Sequence, residues 1–250
     1  EENMQRVQAD LLAEREVAEL RDQFIAVLGH DLRNPLFAIN ASAELLLRRP
    51  LDEKTLQVAQ HILTSGQRAS QLVDDVLDFA RGRMGHGIPL SIHDAHGLDK
   101  TLEHVVSEIQ RVHPARLIRS NIGALELIRC DHERIAQLLS NLVSNAITHG
   151  ASDSSVEVAA GVLGDRFVLS VANQGEPIPE SMRSQLFLPY SRPITNEPQA
   201  GLGLGLYIAS EIAQAHGGTL DVSSTQEGGT VFTFSMPLRP SGACPQVNGV

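Results

Sequence analysis

Cysteine, cationic charge and long apolar runs are all scarce in this chain, and each shortage narrows what it can be. Its two cysteines, Cys130 and Cys244, stand far apart without CxxC spacing. They offer no disulfide framework and suit a reducing, cytoplasmic setting. Lys and Arg number 20 against 30 Asp and Glu, a formal charge of -10 with a pI near 5.4. Nucleic acid and anionic lipid both require concentrated cations, so neither is expected as a partner. No apolar run approaches the roughly 20 residues that span a bilayer, and no signal-peptide pattern opens the chain, so no direct membrane insertion is expected. His93 and His96 have a metal-like spacing, but no third ligand converges on them in the sequence, and both are expected at the surface. The chain opens on Glu1-Glu2 rather than Met, which leads to the expectation of a cytoplasmic part of a longer receptor, with its N-terminal sensor domain outside these residues.

Glycine and proline are also rare at first: up to residue 48 only Gly29 and Pro35 occur. Met4, Val7 and Leu11, then Val17, Leu20, Phe24 and Val27, recur at spacings of three and four, as in a coiled coil. The wider gap from Leu11 to Val17 shifts the heptad phase, as a stutter does. Arg48-Arg49-Pro50-Leu51-Asp52 reads as a turn with Asp52 as a helix cap, and Leu56 to Leu77 supply the apolar stripe of a second helix. A hairpin with one stripe per helix cannot bury both alone, so a homodimer forming a four-helix bundle is expected. Pro35 removes a helical hydrogen bond and is expected to bend the first helix one turn after His30.

Gly82, Gly85, Gly87 and Pro89 mark a linker, after which strands and helices alternate. Strands are expected near 88–93, 116–119, 125–128, 155–162, 166–173, 218–224 and 230–236. Helices are expected near 97–110, 131–148 and 202–216. The fold class is therefore α + α/β: a helical hairpin, then an α/β sandwich with helices on one face of a sheet. The expected segments are a coiled-coil helix at 1–21, a dimerising helical hairpin at 22–82 and a linker at 83–87. An α/β domain at 88–238 and a loose tail at 239–250 follow.

Within the first helix, Gly29-His30-Asp31-Leu32-Arg33-Asn34-Pro35-Leu36 puts an imidazole beside a carboxylate, with an amide one turn on. Imidazole accepts a phosphoryl group well when a carboxylate holds its tautomer and takes up the developing positive charge, which singles out His30 and Asp31. Asn141 and Asn145 lie one turn apart on a later helix and share a face. Neutral amides there can serve a hard cation whose charge is balanced by phosphates, or simply cap a neighbouring loop. Gly201, Gly203 and Gly205 precede another helix and allow backbone to approach phosphates at its N-terminus. His216 ends that helix before Gly217-Gly218, where the dipole favours a cation.

Taken in order, these segments resemble the H, N and G2 boxes of bacterial sensor histidine kinases, from about residue 20 to residue 238. The resemblance implies a Bergerat ATP-binding fold, ATP and Mg2+ as cofactors, and His30 as the phosphorylated residue. It implies Asp31 as assisting base and Asn34 as the residue that orients a water in phosphatase or transfer steps. Asn145 becomes the Mg2+ ligand and Asn141 lies toward the phosphates. Thr148 and His149 replace the family's usual cation and aromatic, with His149 as a partial substitute for the cation. Asn173-Gln174-Gly175-Glu176-Pro177 occupies the G1 position, with Asn173 for the aspartate that binds the adenine amino group and Gly175 as its first glycine. This Asn variant resembles the branch found with bacterial phytochromes. Leu186 to Arg192 resembles the F box, with Phe187 anchoring the lid base and Arg192 facing the γ-phosphate. The implied partner is a response-regulator receiver domain, which takes the phosphoryl group onto an aspartate. Two other readings fit parts of the pattern: a degenerate kinase acting mainly as phosphatase or phosphotransfer scaffold, and an ATPase clamp without phosphohistidine chemistry.

Overall fold

The computed structural model describes residues 25, 27–82, 87–125, 128–191 and 202–238. The expected segments 1–21 and 239–250, most of the expected linker, Arg192 and Gly201 lie outside them. The chain divides between Gly87 and Ile88 into two compact units.

In the first unit, helix α1 (27–47) runs through Pro35 without a break. Helix α2 (Glu53–Gly82) begins after the turn at 48–52. Asp52 caps it, accepting from the Thr55 backbone N–H at 3.1 Å and from the Thr55 hydroxyl. Those bonds to the charged form, the hydroxyl's first, hold the Asp52 carboxyl below its ordinary range. On this hairpin Ile25, Ala43, Ala59 and Leu77 are buried. Leu32, Ile39, Val58 and Ile62 remain between 41% and 53% exposed on the same hairpin. Leu36, Ile39, Val58, Ile62 and Ala69 line a groove of about 460 Å³ along it.

The second unit holds two sheets. Strands β1 (His93–Ala95) and β3 (Ile128–Cys130) form a short antiparallel pair. The main sheet contains β2 (Ile118–Ile122), β4 (Val156–Leu163), β5 (Arg166–Asn173), β6 (Thr219–Thr225) and β7 (Gly229–Pro237), in the order β2-β4-β5-β7-β6. Only β2 against β4 runs parallel. Along β5 and β7, buried and half-buried residues alternate, as a sheet with one covered face requires. Val156, Val158, Phe167, Leu169, Val171, Phe232, Phe234 and Met236 form that face. Helices α3 (Leu98–Val112), α4 (His132–His149) and α6 (Gly205–Ala215) supply the apolar residues that complete the core, among them Leu102, Ile135, Leu138, Leu139, Leu142 and Ile208. The result is the expected sheet layered with helices. A single turn, α5 (Glu180–Arg183), follows β5.

Two strand expectations shift. The 88–93 segment becomes strand only from His93, and of the described residues in the 125–128 segment Ile128 is strand and Leu125 is not. Among the described residues each of these strands has only the other to pair with, and their shared register spans three residues.

Candidate functional site

His30 stands on the outer surface of α1, its side chain 72% exposed. Gly29, just before it, faces Leu77 of α2: a Cβ built there would lie 2.7 Å from Leu77 Cδ1, so that side chain would have to shift. His30 Nδ1 lies 3.2 Å from Asp31 Oδ1. A carboxylate only accepts, so the proton of this bond sits on Nδ1 and Nε2 keeps its lone pair. Asn34 Nδ2 lies 3.3 Å from both ring nitrogens, one helical turn on. The structure thus brings together His30, Asp31 and Asn34. It adds a contact that spacing did not reveal: Arg33 donates through Nε to Asp74 Oδ1 on α2 at 2.7 Å. Next along α2, burial first and then the charges of Asp78 and Asp74 push the Asp75 carboxyl up to about 6.

In the second unit α4 is the organising helix. Asp131 caps it through Oδ1, which accepts from the Arg134 N–H at 3.1 Å, while Oδ2 accepts from the Ser91 N–H at 2.7 Å. Ile135, Leu138, Leu139, Leu142, Val143 and Ala146 bury its apolar face. Asn141 and Asn145 are half-buried. Asn141 Nδ2 is buried without a hydrogen-bond partner, an orphaned donor that a ligand oxygen would satisfy. Gly205, the first residue of α6, lies against it: a Cβ there would be 3.7 Å from Asn141 Cγ. Leu204 at the N-cap makes no side-chain cap bond, and a helix N-terminus of this kind favours an anion. Gly203 supplies the φ of 70° that turns the chain into this helix. Its carbonyl accepts from the Tyr190 N–H at 3.1 Å. Tyr190 itself holds a φ of 60°, a left-handed conformation that costs a non-glycine residue about 1–2 kcal/mol. Phe187 packs edge-to-face on Phe232, ring centroids 6.4 Å apart, and so roots this segment in the core.

Asn173 ends β5 and is 6% exposed. Its Nδ2 donates to the Gln174 carbonyl at 3.2 Å, which leaves Oδ1 as the acceptor to offer a ligand. The loop after it is locked to the end of α4. Ala151 N–H donates to Gln174 O at 2.6 Å, and a Cβ at Gly175 would lie 3.1 Å from His149 O. Arg116 donates to the Ala151 carbonyl from the other side. His149, partly covered, is pushed below the ordinary imidazole range by desolvation, which favours the neutral ring and weakens its expected part as a cation. Asn141, Asn145, His149, Asn173, Gly175, Gly203 and Gly205 therefore belong to one unit.

His216 corrects its expectation. It is 9% exposed, and burial first of all lowers its pKa, against smaller opposing effects of the Ile212 carbonyl and Asp131. Its Nε2 accepts from the Asp131 N–H at 3.2 Å and its Nδ1 bonds to the Ile212 carbonyl at 2.8 Å. That pairing requires the neutral ring protonated on Nδ1, so burial outweighs the helix dipole. Cys130 is likewise no nucleophile: burial pushes its thiol up to about 12. Among the described residues no group of three His, Cys, Asp or Glu could hold a metal, and no helix is long and apolar enough to cross a membrane.

Residues 20–85 match the family described as His Kinase A (phospho-acceptor) domain, and residues 130–240 match Histidine kinase-, DNA gyrase B-, and HSP90-like ATPase. Over 226 residues the chain is 36% identical to a bacteriophytochrome of Pseudomonas aeruginosa, covering 90% of this chain and 30% of that protein. It is 30% identical over 245 residues to the sensor protein KdpD of Escherichia coli, covering 93% of this chain and 26% of that protein. The structure of full-length ShkA in complex with AMPPNP superposes with a TM-score of 0.64 at 28% identity, covering 86% of this chain and 45% of that one. The chain thus spans less than a third of either curated relative.

Proposed function

Because this chain belongs to the sensor histidine kinases, similar to the branch found with bacterial phytochromes, we propose that it phosphorylates its own His30 from ATP and passes the phosphoryl group to an aspartate of a response regulator. The observation that carries the reading is the exposed His30 ring, whose Nδ1 is committed to Asp31, which leaves Nε2, with Asn34 Nδ2 at 3.3 Å, as the nitrogen that holds the lone pair. That lone pair forms the N–P bond to the γ-phosphorus. The bond from that phosphorus to the bridging oxygen breaks, its electron pair leaves with ADP, and the Nδ1 proton passes to Asp31. Asn34, in contact with the ring, orients water or the acceptor aspartate in the later steps.

In the second unit Asn141 places its unpartnered amide toward the phosphates, and the N-terminus of α6 with Gly203 and Gly205 cradles them. Asn173 accepts from the adenine amino group, with Gly175 keeping the loop close. Asn145 presents an amide oxygen to Mg2+, which when bound would neutralise phosphate charge. Arg192 and Gly201 complete the set from the sequence pattern alone. The half-exposed apolar residues Leu32, Ile39, Val58 and Ile62 suit a second copy of the hairpin, and the protein acts as a homodimer in the cytoplasm under an N-terminal sensor domain.

Incubation with ATP labelled in its γ-phosphate tests this. Acid-labile, alkali-stable label is expected in the wild type and none in His30→Ala. Label that survives in His30→Ala, or phosphate release unchanged by that substitution, would overturn the proposal.

A further inference from the structure

Arg33 lies within the phosphoacceptor segment, and nothing in the proposed transfer uses it. It follows His30 by three residues, the spacing that puts two side chains side by side on a helix. Its Nε and Nη2 each lie 2.7 Å from a single carboxylate oxygen of Asp74, on the neighbouring helix. Its third nitrogen turns back along α1: a Cβ on Gly29, the residue before His30, would be 3.7 Å from Arg33 Nη1. Asp74 accepts at one oxygen, so it engages only one edge of a fork that carries five N–H donors. The pair is open to solvent, with Arg33 49% and Asp74 37% exposed. The free edge of a guanidinium is therefore held one turn from the imidazole.

The surroundings give that placement a purpose. Asp74, Asp75 and Asp78 crowd this part of α2, and their mutual repulsion is felt at Asp75. A phosphoryl group on His30 adds roughly two negative charges with strong acceptor oxygens beside this acidic strip. Guanidinium binds such oxygens more specifically than any other side chain, through paired charge-assisted hydrogen bonds.

Resting on the phosphorylation of His30 proposed above, we propose that Arg33 binds the phosphoryl group once it is on His30. Asp74 is its positioning residue, holding the guanidinium in place and competing for it. The phosphorylated state is then favoured by what Arg33 offers, less what Asp74 retains.

The test measures phosphohistidine at equilibrium with a fixed ATP to ADP ratio in the full chain. The variants are Arg33→Gln, Arg33→Lys, Asp74→Asn and the double Arg33→Gln/Asp74→Asn, each first checked for the wild-type melting temperature. A second arm loads His30 with phosphoramidate, a small phosphoryl donor that needs no nucleotide site, and follows loss of the label. Arg33→Gln is expected to lower the phosphorylated fraction about tenfold, the equilibrium worth of one charge-assisted hydrogen bond, and to shorten the lifetime of the label in both arms. Arg33→Lys keeps the charge without the fork and falls between. Asp74→Asn is expected to raise the fraction severalfold, and to do nothing when Arg33 is already Gln. An unchanged fraction and lifetime in Arg33→Gln overturn the role of Arg33. An Asp74→Asn effect that persists without Arg33 overturns the positioning role. Failure of wild type to label at His30 from ATP, with normal loading by phosphoramidate, would instead count against the kinase reading.

Discussion

Replacing His216 by Leu isolates a single buried imidazole that ties the start of α4 to the end of α6. In the wild type the Asp131 N–H donates to Nε2 at 3.2 Å, and Asp131 is 7% exposed. The leucine leaves that backbone donor buried and unpaired, at a cost of about 1–3 kcal/mol. No second orphan arises, because the Ile212 carbonyl also accepts from the backbone N–H of residue 216 at 3.2 Å. Burial lowers the His216 pKa below the ordinary imidazole value of about 6.5, so the folded state resists protonation that the unfolded chain accepts. Its contribution is complete above about pH 6.5, the unfolded value, and is lost as pH falls below it toward the lowered folded value. Calorimetric melting from pH 8 to pH 5 should show the variant several degrees less stable at pH 8, with the gap closing toward acid. Using the difference between the two proteins removes the titration of His149 and Asp75, which both share. A gap that stays constant, or widens toward low pH, would refute the neutral bridge.

Two further substitutions probe the base end of the proposed nucleotide site. Gly175→Ala puts a methyl 3.1 Å from the His149 carbonyl, a backbone atom that cannot swing aside. It should cost about 1–3 kcal/mol of stability and weaken binding of a non-hydrolysable ATP analogue in titration calorimetry, whereas wild-type values for both would dismiss the close approach. Asn173→Asp supplies a charged acceptor, and adenine nucleotides should bind several-fold to about tenfold more tightly, with inosine nucleotides unaffected. An equal gain for both bases would place residue 173 away from the amino group.

Much of the architecture was legible because it follows local periodicity. Asp131 followed by Ile135, Leu138, Leu139 and Leu142 specifies a capped helix with one apolar face, and α4 starts and ends within a residue of expectation. The alternation in β5 and β7 marks a half-covered sheet equally well. Ile88, Leu90 and Ile92 show the same alternation, yet strand begins only at His93, because a ladder needs a partner and the local pattern says nothing of one. Gly66 sits inside α2. A Cβ there would lie 2.0 Å from Asn40 Oδ1, so the missing side chain makes room for the facing helix. At the site, the one-turn spacing of Asn141 and Asn145 was visible, as was the His30-Asp31-Asn34 cluster. The bonds between Arg33 and Asp74 and between Asp131 and His216 join residues 41 and 85 positions apart, beyond any helical or strand period.

The hydrogen bond from Tyr190 to Gly203 joins the two ends of the stretch between them. With both ends stapled at one point, closure of that stretch is already settled by the fold, and doubling its length would add only about 0.6 kcal/mol of chain entropy. Evolution can therefore lengthen, shorten or rewrite the sequence between these two residues while their junction stays as it is. Tyr190 shows where this freedom stops, since it accepts a backbone shape that glycine would adopt without strain.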